Sequence, residues 1–194
     1  MKKYDSLSRL LHLSLAVGIT TQMFVSLVMI TPKPGRIPNS WYSVHETLGI
    51  VLFAILVVYW LRAVLKTIRT GDPLMLFPWF SAARLGALAK DIGATLADAV
   101  RFRLPPDGDE IRPLPAAIQG LGLLVGLFLA ATGTILALTI TPGVALSPTL
   151  HDIKELHEAF GPLMWGYLAI HPTLAIIHQL AGHKTLNQMF GREV

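Results

Sequence analysis

Four stretches of this chain are each long and apolar enough to cross a bilayer, and no feature constrains its fold more. A helix needs about 20 predominantly apolar residues to span hydrocarbon. The stretches cover about 7–30, 44–65, 114–139 and 156–180. Pro32, Pro34 and Pro38 close the first, and Pro142 and Pro148 follow the third. The composition agrees. Apolar residues make up 53% and charged residues 14%, and the mean hydropathy is +0.56. A soluble domain carries about 25% charge, so a disordered chain or an ordinary soluble enzyme is a poor fit. The expected fold is an all-α integral membrane four-helix bundle, one domain over residues 1–194. The first stretch does not read as a cleavable signal peptide, because its apolar run is too long and no small-x-small pattern follows it.

Orientation follows from Lys and Arg. Thirteen of the 16 basic residues fall on one side of the four spans, and only Lys33, Arg36 and Lys154 fall on the other. Both termini are therefore expected in the cytoplasm. The basic balance needs no nucleic acid to explain it. Clusters such as Arg101 and Arg103 read as juxtamembrane anchors. The connection 66–113 is then cytoplasmic. Within it Leu85, Leu88, Ile92, Leu96 and Val100 recur at helical spacing opposite Lys90 and Asp91. That pattern predicts an amphipathic helix at the interface, or a docking platform for a cytoplasmic partner. Residues 104–115 are rich in Pro and Asp and read as an irregular return to the membrane.

There is no cysteine, so disulfides, thiolate metal sites and haem attached through the chain's own thiols are excluded. Seven histidines remain as the strongest ligand set. His45-Glu46-Thr47-Leu48-Gly49 opens the second span and His157-Glu158-Ala159-Phe160-Gly161 the fourth. Both read H-E-x-x-G, and both spans enter from the same side, so His45 and His157 are expected at one depth. Gly49 and Gly161 each lie one turn deeper on the face of their histidine. They would leave room for a flat ligand, or let helices pack closely. His171 follows His157 by 14 residues, about 40° around the helix and about 21 Å along it. His12, at the start of the first span, can face it.

Two pairs result, His45 with His157 and His12 with His171. The bland alternative is a set of buried, hydrogen-bonded histidines. Ionisable residues inside a bilayer are costly and usually functional. Bis-imidazole ligation of haem iron needs opposed pairs from different helices and explains two matched depths economically. Zinc would need three or four ligands at one depth. His178 competes with His171 as partner of His12. His151 reads as a surface or proton-handling residue, and His183 as an interfacial one.

These motifs resemble the bacterial cytochrome b561 family, in the broad group that includes the b-type cytochrome subunits of nickel–iron hydrogenases and formate dehydrogenases. The resemblance covers nearly the whole chain. It rests on Ser8-Arg9-Leu10-Leu11-His12, on Val44-His45-Glu46-Thr47-Leu48-Gly49, and on Arg112-Pro113-Leu114-Pro115 leading into a span with Thr132-Gly133. It also rests on His157-Glu158 followed by His171. It implies a four-helix core in the bacterial cytoplasmic membrane with two b haems ligated by His12, His45, His157 and His171. It further implies electron exchange with a quinone or a partner redox protein. The family often has Trp directly after the first-span histidine, where this chain has Leu13.

The functional expectation is a di-haem conduit carrying electrons between a redox partner or subunit and the quinone pool. Arg9 and Arg62 on the inner side, and Arg36 and Lys154 on the outer side, are candidates to meet haem propionates. Each also reads as a snorkelling anchor. Glu46 and Glu158 either orient ligands and move protons or sit favourably in first turns. One alternative is a stand-alone quinone-linked oxidase of a small outer-side reductant such as superoxide. Another is a haem-free anchor or transporter.

Overall fold

The computed structural model describes residues 5–70, 77–101, 103, 112–183 and 185–190. Residues 104–111 of the expected irregular return lie outside the described residues, as do Lys2, Lys3, Lys184 and Arg192 of the charge count. Among the described residues the chain is helical: α1 (Ser6–Val28), α2 (Ser40–Thr70), α3 (Ala82–Val100), α4 (Pro113–Thr139), α5 (Pro148–Leu180) and α6 (Thr185–Phe190). A short 3-10 turn at Pro78–Phe80 precedes α3. α1, α4, α5 and the Ser40–Leu65 part of α2 are apolar over membrane-crossing lengths.

The apolar side chains are distributed inside out. Small clusters around Leu15, Leu52, Leu56 and Leu123, and around Met23, Val125 and Met164, fill the interior. Leu10, Val17, Leu27, Leu121, Leu163 and Ile170 stand exposed, and Leu138 is 74% exposed. Water would not tolerate so much apolar surface. Hydrocarbon does, and helices satisfy their own backbone polar groups within it. The chain is a multi-pass membrane protein.

Two helices begin earlier than hydropathy alone predicts, and capping explains both. Asn39 starts α2 ahead of residue 44. Its Oδ1 accepts from the backbone N–H of Ile30 at 2.9 Å and of Tyr42 at 3.2 Å, and its Nδ2 donates to the Val28 carbonyl at 3.0 Å. One side chain thus caps α2 and ties off the end of α1. Ser147, followed by Pro148, starts α5 eight residues ahead of 156, its side chain accepting from the Leu150 N–H. The first turns of α5 carry His151, Asp152, Lys154 and Glu155, which a hydropathy threshold rejects. Between α1 and α2 the chain reverses through Pro34 and Gly35, whose φ of 77° favours glycine. The Arg36 N–H donates to the Lys33 carbonyl at 2.9 Å across that turn.

α1 packs on α2, α2 on α4, and α4 on α5, while α5 closes lightly on α1. Neighbours run antiparallel. Near the N-terminal end of α1, the Trp60 indole of α2 donates to the Leu123 carbonyl of α4 at 3.4 Å. Small residues set the closest approaches. A Cβ at Gly18 would overlap Leu52, and one at Gly122 would overlap the Tyr167 ring.

α3 has the amphipathic pattern, but Asp91 does not lie on a solvated face. It accepts from the Leu114 N–H at 2.9 Å and pairs with Arg112, which also donates to Thr95 at 2.9 Å. A carboxylate at a helix N-terminus is favourable. α3 is therefore pinned to the entry of α4, with Leu85, Ile92, Leu96 and Val100 left exposed.

At the same end Asp5 caps α1. It accepts from the Ser8 N–H and hydroxyl at 3.0 Å each, and from Arg62 of α2 at 2.6 Å. The Ser8 backbone bond, with the Ser8 hydroxyl and Arg62, pulls the Asp5 carboxyl from 3.8 down to about 2. A depressed pKa stabilises the fold above the unfolded value and is lost as pH falls through the folded one. The Asp5 carboxyl resonance should therefore titrate near pH 2, and a midpoint near 4 would mean that the cap does not form. Gly122→Ala should lower thermal stability in detergent, by about 1–3 kcal/mol of overpacking, although Ala favours a helix over Gly by about 1 kcal/mol. A stabilised variant would show that Tyr167 is not packed there.

Candidate functional site

Four of the seven histidines meet in two pairs. His45 of α2 faces His157 of α5 with ring centroids 6.4 Å apart and planes at 89°. His12 of α1 faces His171 of α5 at 6.3 Å and 56°. α5 contributes to both because 14 residues return nearly the same face. His45 lies early in α2 and His157 well inside α5. They still meet, because α5 begins further out.

The separations bear on what such pairs can hold. Two imidazoles bound on opposite sides of one metal, with bonds of about 2.0–2.1 Å, place their ring centroids roughly 6.3 Å apart. Rings in direct hydrogen-bond contact lie closer. His178 and His183 show this, with Nδ1 atoms 2.8 Å apart and centroids at 5.0 Å. His45 also keeps a buried Nδ1 with no hydrogen-bond partner, as do the Oε1 of Gln22 and the hydroxyl of Thr134. Buried polar atoms normally find partners, so this region is unsatisfied by the protein alone. No group of three or more His, Asp or Glu side chains converges on a metal-sized point among the described residues. That arrangement suits a planar metal complex taking one nitrogen from each face, and does not suit zinc.

A cavity of about 530 Å³ surrounds the first pair. Its wall is mostly apolar, with Ile19, Met23, Leu52, Leu56, Leu129 and Met164. This is the size and chemistry of a cofactor pocket. Gly49, Gly126, Gly133 and Gly161 all line it. A Cβ at Gly161 would meet open space, and one at Gly49 would stand 3.0 Å from the Gln22 amide nitrogen. That amide donates to the His45 carbonyl at 2.8 Å. Gly133 is the tightest of the four, with its Cβ position 2.9 Å from Cε1 of His157. Gly126 escaped the sequence reading. Its spacing of seven from Gly133 marks one face of α4 and was the available signal.

His157 is also held from α4. Its Nδ1 lies 2.9 Å from the Thr132 hydroxyl. In the second pair the Tyr167 ring stacks on His171 at 5.0 Å and 9°. Both contacts lay beyond the sequence reading.

The charged candidates are placed differently. Arg62 is engaged by Asp5 and Ser8, and Arg9 is half-buried one turn before His12. Lys154 lines the mouth of the cavity but is ion-paired with Glu158 at 2.7 Å. Arg36 sits exposed in the α1–α2 turn. Glu46 and Glu158 both line the cavity, Glu46 hydrogen-bonded to Tyr42. His171 is the ring set against His12, while His178 pairs with His183. His151 is exposed beside Glu155 at 3.8 Å.

Comparison with known proteins places this architecture. The chain shows no match to a curated protein or to a solved structure. The family model for prokaryotic cytochrome b561 matches residues 3–192. With four membrane-crossing helices inside that match, the chain belongs to the prokaryotic cytochrome b561 family, membrane b-type cytochromes that work in electron transfer.

Proposed function

We propose that this chain is a di-haem cytochrome of the bacterial cytoplasmic membrane that passes electrons between a partner redox protein or subunit and the quinone pool. The observation that carries this reading is the pair of opposed imidazoles at each of two levels, 6.4 and 6.3 Å apart. His45 and His157 hold one haem, and His12 and His171 the other. Haem, when bound, supplies reversible one-electron chemistry. The chain contributes ligation, spacing and a dry interior. The levels lie about 21 Å apart along α5, which covers most of the roughly 30 Å hydrocarbon thickness. The Lys and Arg distribution puts both termini in the cytoplasm, so the His12 pair lies toward that side.

A protein partner is favoured over a small anionic reductant such as superoxide. Steering an anion needs a field of positive charge. Only three basic residues fall at the outer end, and Lys154 is already paired with Glu158. Arg9 stands one turn from His12 and is the best placed cation for a propionate at the inner pair. A haem-free transporter or anchor does not accord with membership of a b-type cytochrome family.

A pyridine haemochrome assay should return two b haems per chain. One haem, or none, would contradict the reading. His45→Ala or His157→Ala should remove about half of the haem and leave the other signal intact, and His12→Ala or His171→Ala should remove the complementary half. Retention of the inner haem in His171→Ala with its loss in His178→Ala would reassign that ligand. Gly133→Ala should displace His157 and lower outer haem occupancy. Gly161→Ala should be tolerated and Gly161→Leu should not. Full occupancy in Gly161→Leu with an unchanged spectrum would mean that the residue does not face the cofactor.

A further inference from the structure

Thr132 makes two kinds of contact that together fix more than helix packing. Its hydroxyl lies 2.7 Å from the Phe128 carbonyl and 3.2 Å from the Leu129 carbonyl. A threonine returning its proton to the preceding turn is common and by itself carries no function. The same oxygen, however, lies 2.9 Å from Nδ1 of His157 on the facing helix. A hydroxyl has one proton and two lone pairs. With that proton directed to its own helix backbone, the oxygen can only accept from His157. With the hydroxyl proton so directed, the Nδ1 of His157 carries the hydrogen and Nε2 is left bare, and the Leu129 carbonyl is a second acceptor beside the same ring. Gly133, the next residue, leaves the space into which the ring edge fits, its Cβ position lying 2.9 Å from Cε1. Across the cavity, His45 has no such support at its Nδ1, which is buried without a partner.

We propose that Thr132 is a positioning residue that sets the tautomer and the ligand strength of His157, and so lowers the reduction potential of the haem held there. This rests on the ligand assignment made above. A hydrogen bond from the distal N–H of a ligand histidine fixes the ring and raises the basicity of the coordinating nitrogen. A more basic ligand favours the ferric over the ferrous state. The two members of the pair are thereby unequal: a hydroxyl meets the Nδ1 of His157, whereas the Nδ1 of His45 has no hydrogen-bond partner. Loss of the hydroxyl should shift one of the two haem potentials upward and leave the other in place.

The test is a redox titration of purified protein, with haem content measured on the same samples. Thr132→Val keeps the shape and removes the hydroxyl, Thr132→Ala removes it without bulk beside Gly133, and Thr132→Ser restores it. The proposal expects one potential to rise in Val and Ala, by up to a tenfold change in the reduction equilibrium, which is about 59 mV for one electron. Ser should behave as wild type. Loss of the outer haem in Val and Ala, with retention in Ser, would equally support a hydroxyl that seats the ligand. Unchanged potentials in Val, or a change in Ser as large as that in Val, would overturn it, as would haem loss in all three. Absence of haem from this pair in the wild type would instead defeat the ligand assignment on which it rests.

Discussion

Four imidazoles held inside a lipid-facing bundle are the most demanding element of this structure. Each is half-buried on a membrane-crossing helix, and an unpartnered polar group in hydrocarbon costs several kcal/mol. The protein answers for some of this cost itself. Thr132 partners His157, and the Tyr167 ring covers His171. It leaves the rest open, with the Nδ1 of His45 unpaired in a cavity of about 530 Å³. The ring separations within the pairs match what a shared metal requires and exceed what a direct hydrogen bond needs.

The remaining architecture keeps that interior in register. Glycines on α4 let α5 come close at Tyr167 and leave space at His157. Asp5 with Arg62, and Trp60 with Leu123, tie the helices at the end nearest His12. Asn39 joins α1 to α2 at the other end. Between these ties the contact of α1 with α5 is light, and that is the seam across which His12 meets His171. Tied ends with a light α1–α5 seam between them suit a bundle that accommodates something between its helices.

Much of this was legible in the sequence, because its determinants are periodic. Apolar runs gave the spans, and a repeat of H-E-x-x-G with a 14-residue interval gave the pairs. Helix starts were not legible from hydropathy. Asn39 and Ser147 act through single capping bonds, and the polar first turns of α5 hide its true beginning. Asp91 was read only as lying opposite the apolar stripe, because its partners Arg112 and Leu114 lie beyond a long connection. Thr132 was picked out only as part of a motif, and its contact with His157 escaped for the same reason. That role depends on which neighbour faces α4, which is tertiary information, whereas the seven-residue spacing of Gly126 and Gly133 marked their common face without showing what it meets. Gly49 and Gly161 were grouped by sequence, but one faces a glutamine amide and the other open space.

The most direct measurement is low-temperature electron paramagnetic resonance of the oxidised, purified protein. Two opposed imidazoles make ferric haem iron six-coordinate and low-spin. The two pairs differ in ring-plane angle, 89° against 56°, so two distinct low-spin signals of equal weight are expected, with no high-spin iron. A single low-spin species, or a dominant high-spin signal, would contradict ligation by two histidine pairs.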